Sequence, residues 1–530
     1  MLDGWGRFAA QPSKRAWVEQ RATGYRRGMS ADDLPSVWLD PPPAIKSDWL
    51  RAGARYDVVV VGAGLTGLAT AVLLARAGRQ VAVVEARSIG AVTTGHSTAK
   101  VSLLQATALS KIVKNHSDHV AAAYLDGNRA GQQWLRTYCA EHEIPTEQRD
   151  AYTYAGTPAG ASAVRREFDI ARRLGLPVQM TDAVELPYPS YAAVCLPDQL
   201  QFNPMDVLAS LADELRHAGG LVIEGARVTG VSGRRSCELI TSAGRLTADN
   251  VVLATGIPFL DRGLYFAKVT AQRSYALGFQ VSSPIPRGMY ISADAPTRSL
   301  RTALHEGEEL LLVGGNGHPV GRHPKNPSDL VADLTAWTSR WFSGAERTHV
   351  WSAQDYEALG GVPFVGKLPR GGGHVYLATG YSKWGMTNAV TAALRISGEI
   401  LQRVPPWGRT LGTRVSKPAS AAAFLRTNTA IGVAATQGWL KAELHPLQDQ
   451  ERNPAEGTGV VGAVRGEPVA ISTVAGETCA LSAICTHLGG VVRFNDLEKS
   501  WDCPLHGSRF AADGTVLEGP ATSNMKPRPS

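Results

Sequence analysis

The sequence predicts an α/β protein with a parallel dinucleotide-binding sheet, followed by a small all-β domain at the C-terminus. An apolar strand at residues 56–61 runs directly into a glycine-rich turn and an apolar helix, which is how a nucleotide-binding βαβ unit begins. Two more strands end on glycine turns, at residues 251–256 and 375–380. Short β-runs between glycine turns then occupy residues 457–530. The chain of 530 residues has room for about three domain-sized units.

The first element is a dinucleotide-binding motif at residues 56–85. The turn after the first strand reads GAGLTG, a GxGxxG pattern, and a second strand at residues 81–84 ends on an acidic residue near the expected offset. The pyrophosphate would rest on the helix N-terminus, and the acidic side chain would accept hydrogen bonds from ribose hydroxyls. A glycine-rich turn in another kind of α/β unit is the alternative. The residues that this motif assigns to the nucleotide are Gly62, Gly64, Gly67 and Glu85.

Two later segments favour FAD over NAD. The run VVLATG at residues 251–256 resembles the second nucleotide-side strand of two-dinucleotide flavoproteins. The run VYLATGYSKWGMT at residues 375–387 reads as strand, glycine turn and helix start, an arrangement that points N–H donors at the pyrimidine edge of a flavin. The further contacts that we predict for FAD are Thr94, Gly256, Gly380, Trp384, Gly385 and Met386.

The C-terminal domain carries two loops that each pair a cysteine with a histidine. Cys485 and His487 are followed, after 15 intervening residues, by Cys503 and His506. Two thiolates and two imidazoles are the ligand set of a Rieske [2Fe-2S] cluster, in which two histidines replace two cysteines on one iron. Zinc accepts the same donors, but zinc fingers usually pair Cys with Cys and His with His. A domain without metal is a further alternative. We expect His506 at the exposed edge of the cluster, where an acceptor would dock.

These motifs carry a resemblance to known families. Gly490 and Leu505 stand where respiratory Rieske domains have a disulfide-bonded cysteine pair, so this domain resembles the disulfide-free types. Residues 56–405 resemble the D-amino-acid oxidase-like FAD-dependent oxidoreductases, and the runs TGHSTAK at 94–100 and WGMTN at 384–388 resemble a bacterial subgroup with a C-terminal Rieske domain. The resemblance implies a Rossmann-like two-dinucleotide-binding flavoprotein fold with an inserted α+β substrate domain.

The domain organisation follows from these assignments. The stretch from Pro405 to Ala421 is rich in Pro, Gly and Ser and reads as a linker, and Ala422 to Leu447 has the apolar periodicity of a helix. We predict an N-terminal arm at 1–55, the FAD-dependent oxidoreductase domain at 56–405 with substrate-domain insertions at about 150–200 and 265–345, a linker and helix at 406–456, and the Rieske domain at 457–530.

Candidate catalytic residues come from the resemblance. Enzymes of the resembled family move a hydride from the carbon that bears an amine to flavin N5, and many hold a substrate carboxylate with Arg and Tyr. The run at residues 270–277 alternates like a strand, which puts Arg273 and Tyr275 on one face. A sheet face with no ligand is the alternative for both. His96, in the loop after Glu85, is the third candidate, as a flavin contact.

Composition and charge limit the classes of binding partner and the cellular compartment that we expect for this protein. The net charge of +7 is not focused in one basic block, which argues against nucleic-acid binding. Arg26 and Arg27 suggest twin-arginine export, but no apolar region follows them, and no 18-residue apolar run exists, so we expect neither a signal peptide nor a transmembrane segment. Beyond the two predicted ligands, four widely spaced cysteines fit reduced thiols in a cytoplasmic protein, namely Cys139, Cys195, Cys237 and Cys479.

Taken together, the sequence predicts an FAD-dependent dehydrogenase with a [2Fe-2S] cluster. The expected substrate is a small amine or amino acid, and electrons would leave one at a time through the cluster to an unidentified partner protein. Two alternatives remain: an electron-transfer reductase fed by NAD(P)H, and a flavin oxidase whose Rieske domain serves structure or docking.

Overall fold

The computed structural model describes residues 35–233, 236–322, 326–414 and 417–528. Arg26 and Arg27 therefore lie outside the described residues. The described part of the arm packs on the body of the protein, since Val37 and Trp38 are buried and Trp38 Nε1 donates to the Ser97 carbonyl. No helix of the described residues is long and apolar enough to cross a membrane.

The secondary structure of the described residues is as follows. The strands are β1 (Arg55–Val61), β2 (Val81–Val84), β3 (Lys100–Val101), β4 (Thr146–Ala155), β5 (Gln179–Thr181), β6 (Ala192–Phe202), β7 (Leu221–Ile223), β8 (Val228–Ser232), β9 (Cys237–Thr241), β10 (Gly244–Leu253), β11 (Val269–Gln280), β12 (Met289–Ser292), β13 (Arg298–His305), β14 (Glu308–Pro319), β15 (Glu346–Ala358), β16 (Phe364–Lys367), β17 (Val375–Thr379), β18 (Thr458–Val464), β19 (Glu467–Val474), β20 (Glu477–Ser482), β21 (Arg493–Asn495), β22 (Ser500–Asp502), β23 (Arg509–Ala511) and β24 (Val516–Glu518). The α-helices are α1 (Leu65–Arg76), α2 (Ala108–Asn115), α3 (Asp118–Glu141), α4 (Pro158–Arg173), α5 (Pro204–His217), α6 (Pro327–Trp341), α7 (Gly385–Ile400), α8 (Pro406–Gly412) and α9 (Pro418–Glu443).

The first sheet is the predicted nucleotide-binding layer. Its strand order is β16-β17-β10-β1-β2-β7, with β8 and β9 attached beyond β10. Strand β1 pairs in parallel with β2 and β10, and β10 pairs in parallel with β17. The four valines of β1 at residues 58–61 are buried, as expected for a strand covered on both faces. The turn and α1 must approach closely, because a Cβ on Gly67 would lie only 1.9 Å from the Gly62 carbonyl oxygen. The predicted strand, glycine turn and helix are therefore confirmed.

The second sheet has nine strands and forms the other layer of the body. Its order is β15-β11-β14-β13-β12-β4-β6-β3, with β5 attached to β6. It takes most of its strands from residues 146–202 and 269–358, close to the predicted insertions. Strand β11 runs antiparallel between β14 and β15, so both of its edges are paired.

The C-terminal domain is all-β apart from the helix that precedes it. Strands β18 to β20 form one antiparallel sheet and β21 to β24 form another. Helix α9 packs its Ile431 and Ala442 into the core of this domain, and Trp439 Nε1 donates to the Gly489 carbonyl.

The segment after residue 405 differs from its prediction as a linker. It contains α8, and α9 begins at Pro418, four residues before the predicted start. The reason is packing that composition does not reveal. Trp407 lies against Gly127 of α3, and the Arg414 guanidinium donates to the carbonyls of Val362 and Pro363.

Candidate functional site

A cavity of about 620 Å³ lies at the carboxyl ends of β1, β2 and β10. This is where ligands bind in open parallel sheets. One predicted FAD contact, Gly67, does not line the cavity, because it lies beneath the turn and permits close packing of helix and strand. All the other predicted FAD contacts line this one cavity, namely Gly62, Gly64, Glu85, Thr94, Gly256, Gly380, Trp384, Gly385 and Met386.

The nucleotide end of the cavity fits a dinucleotide. A Cβ on Gly64 would touch only Thr94 Oγ1, at 3.1 Å, so the backbone is open on its cavity side. The Glu85 carboxylate accepts the N–H groups of Ala63 and Arg87, both at 2.8 Å. A carboxylate has about four acceptor sites, so Glu85 is held in place and can still accept ribose hydroxyls.

The other end of the cavity is formed by the loop that precedes α7. Gly380 follows β17 in the left-handed region (φ 87°), and Gly385 begins α7 without a side-chain cap. The Tyr381 hydroxyl lies 2.9 Å from Thr66 Oγ1 and ties this loop to the first turn of α1. The free N–H groups at the start of α7 are donors suited to a flavin edge. The chain therefore offers donors and clearance for FAD at both ends of one cavity.

Arg273 does not face the cavity, although the sequence predicted that it would meet the substrate. Gln272 and Ser274 of β11 line the cavity together with Asp355 of β15, and Gln272 pairs with Asp355 across the two strands. Arg273 points to the opposite face, because side chains alternate along a strand. Its guanidinium forms an ion pair with Glu498 of the C-terminal domain at 2.5 Å and is 2% exposed. This corrects the prediction that Arg273 meets a substrate carboxylate.

Tyr275 and His96 both line the cavity. Tyr275 borders the cavity, but its side chain packs with Leu277 and Phe279 on the same face of β11 as Arg273, and its hydroxyl lies 3.0 Å from His318 Nε2. Burial raises the pKa of Tyr275, so it stays a hydroxyl. His96 Nδ1 lies 2.7 Å from the Val92 carbonyl oxygen, and burial lowers the pKa of His96, which favours the neutral ring. Catalytic roles for Tyr275 and His96 stay predictions.

Sequence reasoning missed several charged residues of the cavity, among them Asp355 and Lys383. Burial raises the pKa of Asp355 to about 6, although backbone N–H groups of Lys383 and Tyr356 partly offset it. Burial also lowers the pKa of Lys383. The available signal was the spacing of Asp355 and Glu357, since carboxylates two apart on a strand share one face.

The predicted cluster ligands come together in the C-terminal domain. Cys485 and Cys503 are 3% and 2% exposed, and the rings of His487 and His506 lie with centroids 5.3 Å apart. The pKa of Cys485 is lowered to about 7, chiefly by a hydrogen bond with the Cys503 thiol. Burial opposes this shift, while the His487 N–H and the Ser508 hydroxyl add to it. The same hydrogen bond raises the pKa of Cys503. Both cysteines must be thiolates to bind a metal, so metal binding releases the thiol protons.

The histidine nitrogens also fit a metal. His487 Nε2 lies 3.0 Å from Asp261 Oδ1, while His487 Nδ1 is buried without a hydrogen-bond partner among the described residues. A histidine that donates one N–H to a carboxylate presents the other nitrogen to a metal. Two buried thiols and two imidazoles therefore fit the [2Fe-2S] cluster.

Gly490 and Leu505 are neighbours in space, as the comparison with disulfide-containing domains implied. A Cβ on Gly490 would lie 2.6 Å from Leu505 Cγ and 3.0 Å from Cys503 Sγ. The leucine side chain thus fills the space where the other subtype has its second sulfur.

The ligand loops are docked on the flavin-binding body. Phe266 packs edge-on against the rings of both His487 and His506, with centroids 5.6 and 4.8 Å away. The Gly507 backbone approaches so closely that a Cβ there would lie 2.3 Å from Ala271 Cβ. The His487 side chain is only 6% exposed. The histidine edge of the cluster site therefore faces the body of the protein, and His506, which we expected to be exposed there, is half-buried against Phe266.

The docked domain also contributes to the large cavity. Tyr356, which lines the cavity, donates to the Gly519 carbonyl at 3.2 Å, and Gln354 donates to the Gly507 carbonyl at 2.7 Å. The C-terminal residues that line the cavity are Leu517, Glu518, Gly519, Ala521 and Thr522. The C-terminal domain that carries the predicted cluster ligands therefore forms part of the wall of the predicted flavin cavity.

Comparison with family sequence models gives two matches. Residues 57–397 match the family described as FAD dependent oxidoreductase. Residues 446–529 match the Rieske [2Fe-2S] domain. The two matches together include every residue that the sequence analysis assigned to FAD, to the cluster or to catalysis.

Individual relatives agree with these matches. The chain is 28% identical over 508 residues to a putative Rieske 2Fe-2S iron-sulfur protein of Bacillus subtilis (strain 168), covering 94% of this chain and 96% of the relative. It is 25% identical over 418 residues to the gamma-glutamylputrescine oxidoreductase of Escherichia coli (strain K12), covering 73% and 96%. Its fold is similar to the crystal structure of glycine oxidase from Geobacillus kaustophilus, with a TM-score of 0.56 and 19% identity over 67% of this chain and 96% of that one.

Proposed function

Because the chain belongs to the FAD dependent oxidoreductase family and carries a C-terminal Rieske [2Fe-2S] domain, we propose that it oxidises an amine or amino acid and passes the electrons singly through the cluster. FAD and a [2Fe-2S] cluster are its cofactors. The two relatives of the flavin domain that act on nitrogen compounds by name, the gamma-glutamylputrescine oxidoreductase and the glycine oxidase, support this class of substrate.

The observation that carries the proposal is that the Rieske domain forms part of the wall of the flavin cavity. Leu517 and Gly519 belong to the Rieske domain, yet they line the cavity that also holds Gly62 and Glu85. A domain that served only to bind an outside partner would have no need to close the flavin cavity. The docking instead supports electron transfer within one chain.

An apolar cluster lies between the cavity and the histidine ligands. Ile257 and Tyr356 line the cavity and pack in one cluster with Ala271 and Phe266, and Phe266 contacts both histidine rings. Side-chain contacts thus connect the cavity to the histidine ligands. Such packing supports a fixed orientation of the Rieske domain on the flavin domain.

The residues of the chain have separable tasks in this proposal. Bound FAD supplies a hydride acceptor, and the cluster supplies one-electron transfer. Glu85 and the turn at 62–67 hold the nucleotide, and the loop at 380–386 orients the flavin ring. Asp261 holds the Nε2 proton of His487 and thereby fixes which nitrogen faces the iron.

The test is anaerobic mixing of the purified protein with panels of amines, amino acids and NAD(P)H. We expect amines or amino acids to bleach the flavin, followed by the EPR signal of a reduced cluster. In His506→Ala, which removes an iron ligand, flavin bleaching should persist, while turnover with a one-electron acceptor should collapse. His445→Ala is the matched control, since His445 is an exposed histidine of the same part of the chain that pairs with Glu451.

Two outcomes would replace the proposal. Bleaching by NAD(P)H alone would favour a reductase that is fed by NAD(P)H. We do not expect this result, because a nicotinamide would need a second dinucleotide-binding turn. The only other GxGxxG spacing in the sequence lies across β18 in residues 457–462 and opens no helix. Wild-type acceptor turnover in cluster-free His506→Ala would favour an oxidase with a structural Rieske domain.

The acceptor and compartment belong to the same proposal. Because the histidine edge faces the flavin body, a protein acceptor would dock on another side of the Rieske domain. We place the protein in the cytoplasm, since its six cysteines are all unpaired and none forms a disulfide.

A further inference from the structure

One carboxylate in the large cavity, that of Asp355, makes no ion pair among the described residues, although Lys383 lies nearby. Asp355 lies on β15 and lines the cavity beside Ser274 and Lys383. Its hydrogen bonds come from the backbone N–H groups of Lys383 and Tyr356. Within the described part of the chain, Asp355 forms no ion pair, whereas its neighbour Glu357 pairs with Lys111. A carboxylate in an enclosed site ordinarily has a cation beside it.

The backbone around Asp355 is held in an unusual conformation. Ser382 and Lys383 are consecutive non-glycine residues in the left-handed region, with φ of 54° and 70°. The loop is fixed by the Ser382 N–H, which donates to the Tyr356 carbonyl at 3.0 Å, and by the bond from the Lys383 N–H to Asp355. Strained backbone of this kind persists where the surrounding structure holds a functional geometry. Here it orients Asp355 with main-chain donors and keeps its remaining acceptor sites for the cavity.

We propose that Asp355 binds the amino group of the substrate, so that the substrate class is a cationic amine and not a carboxylate recognised through its acid group. This inference rests on the proposed function. It deepens that function by naming the group that the cavity recognises. Asp355 accepts a proton from the substrate ammonium, giving a neutral amine and a protonated Asp355. The C–H bond next to nitrogen then breaks, its electron pair leaves as a hydride to FAD, and the nitrogen lone pair forms the C=N bond of an iminium product.

The charged groups around Asp355 are consistent with this role. Lys383 faces it from the loop, Glu357 lies two residues along β15, and Lys111 of α2 neutralises Glu357. The hydroxyls of Tyr356 and Tyr381 are the other titratable groups beside it. Burial lowers the pKa of Lys383, and the nearby carboxylates of Glu357 and Asp355 partly offset this shift. Lys383 also defines the competing reading, in which a substrate carboxylate binds to its side chain.

The test uses ligands that cannot be oxidised. Tert-butylamine and larger tert-alkylamines have no hydrogen on the carbon that bears nitrogen, and pivalate and its larger homologues are matching carboxylates. Binding to the FAD-loaded protein is followed by the flavin difference spectrum and by thermal shift. We expect amines to bind and carboxylates not to bind, with amine affinity falling as the pH drops below about 6, where Asp355 becomes protonated.

The matched variants are Asp355→Asn and Glu357→Gln. The amide of Asp355→Asn keeps an oxygen for the Lys383 N–H but loses the charge, so amine affinity should fall about 10- to 100-fold, the value of a hydrogen bond to a charged group. Glu357→Gln removes a carboxylate from the same strand and should leave the preference for amines intact. Retained FAD absorbance reports that each variant is folded.

The outcomes separate this inference from the proposed function. Tight binding of carboxylates, no binding of any amine, or unchanged amine affinity in Asp355→Asn would overturn the role of Asp355 even if a substrate still reduces the cluster. Reduction by NAD(P)H alone would overturn the proposed function itself.

Discussion

The buried ion pair between Arg273 and Glu498 should control how firmly the Rieske domain docks on the flavin domain. The Arg273 side chain is 2% exposed, and a second arginine, Arg509, binds Glu498, Asp502 and Glu518 from within the Rieske domain. Burial alone would raise the pKa of Glu498, but Arg273 and Arg509 outweigh it and hold that pKa far below its usual range. Arg273→Met therefore leaves one cation for three carboxylates, the buried Asp502 and Glu518 and the half-buried Glu498.

The loss of docking free energy in Arg273→Met can be estimated from the burial of the ion pair. Loss of one partner of a buried pair costs about 3–5 kcal/mol. The pair borders a cavity of about 300 Å³, which has room for several waters, so we take the lower end. About 3 kcal/mol corresponds to a docking equilibrium weakened about 100-fold. The double variant Arg273→Met with Glu498→Gln should recover part of this loss, because it removes an unpaired carboxylate.

Two measurements test this prediction. Hydrogen exchange should rise in β11 and in residues 516–522, and stopped-flow spectra should show normal flavin reduction followed by slow cluster reduction. Arg245→Met is the control, since Arg245 pairs with Glu238 at the surface, where an ion pair contributes little. Native exchange and a native rate of cluster reduction in Arg273→Met would refute the reasoning.

The remaining predictions concern the two cofactors. Cys503→Ala removes a thiolate ligand, so cluster absorbance and EPR should vanish while FAD stays bound; simultaneous loss of FAD, or zinc instead of iron in anaerobically prepared wild type, would contradict the assignment. Gly64→Val places a branched side chain toward Thr94 and the cavity, so the FAD content should fall sharply. The control Gly432→Ala, at an exposed glycine of α9 with nothing within 4 Å, should retain FAD. Glu85→Ala should weaken FAD by about 1.5–3 kcal/mol, the value of hydrogen bonds to a charged acceptor, and an unchanged dissociation constant would remove Glu85 from the site.

Local spacing was sufficient for the cofactor sites. The four cluster ligands lie on two short loops, and the turn at residues 62–67 joins adjacent elements of one βαβ unit. In both cases the chemistry depends on residues close in sequence, so the motif alone indicates the ligand. The place of Gly380 beside the same cavity also follows a local signal, because a strand followed by a glycine turn is visible in the sequence.

The sequence by itself thus determined the two cofactors, the flavoprotein fold and the all-β C-terminal domain. Only the tertiary structure decided which face of β11 covers the flavin cavity, because alternation defines two faces but not their partners. Arg273 finds its partner 225 residues away in Glu498, and Asp355 reaches the cavity through its pairing with Gln272. The placement of the histidine edge against Phe266 depends in the same way on how two domains dock. Contacts between segments so distant in the chain leave no periodic signal in the sequence, and the packing of the folded chain sets them.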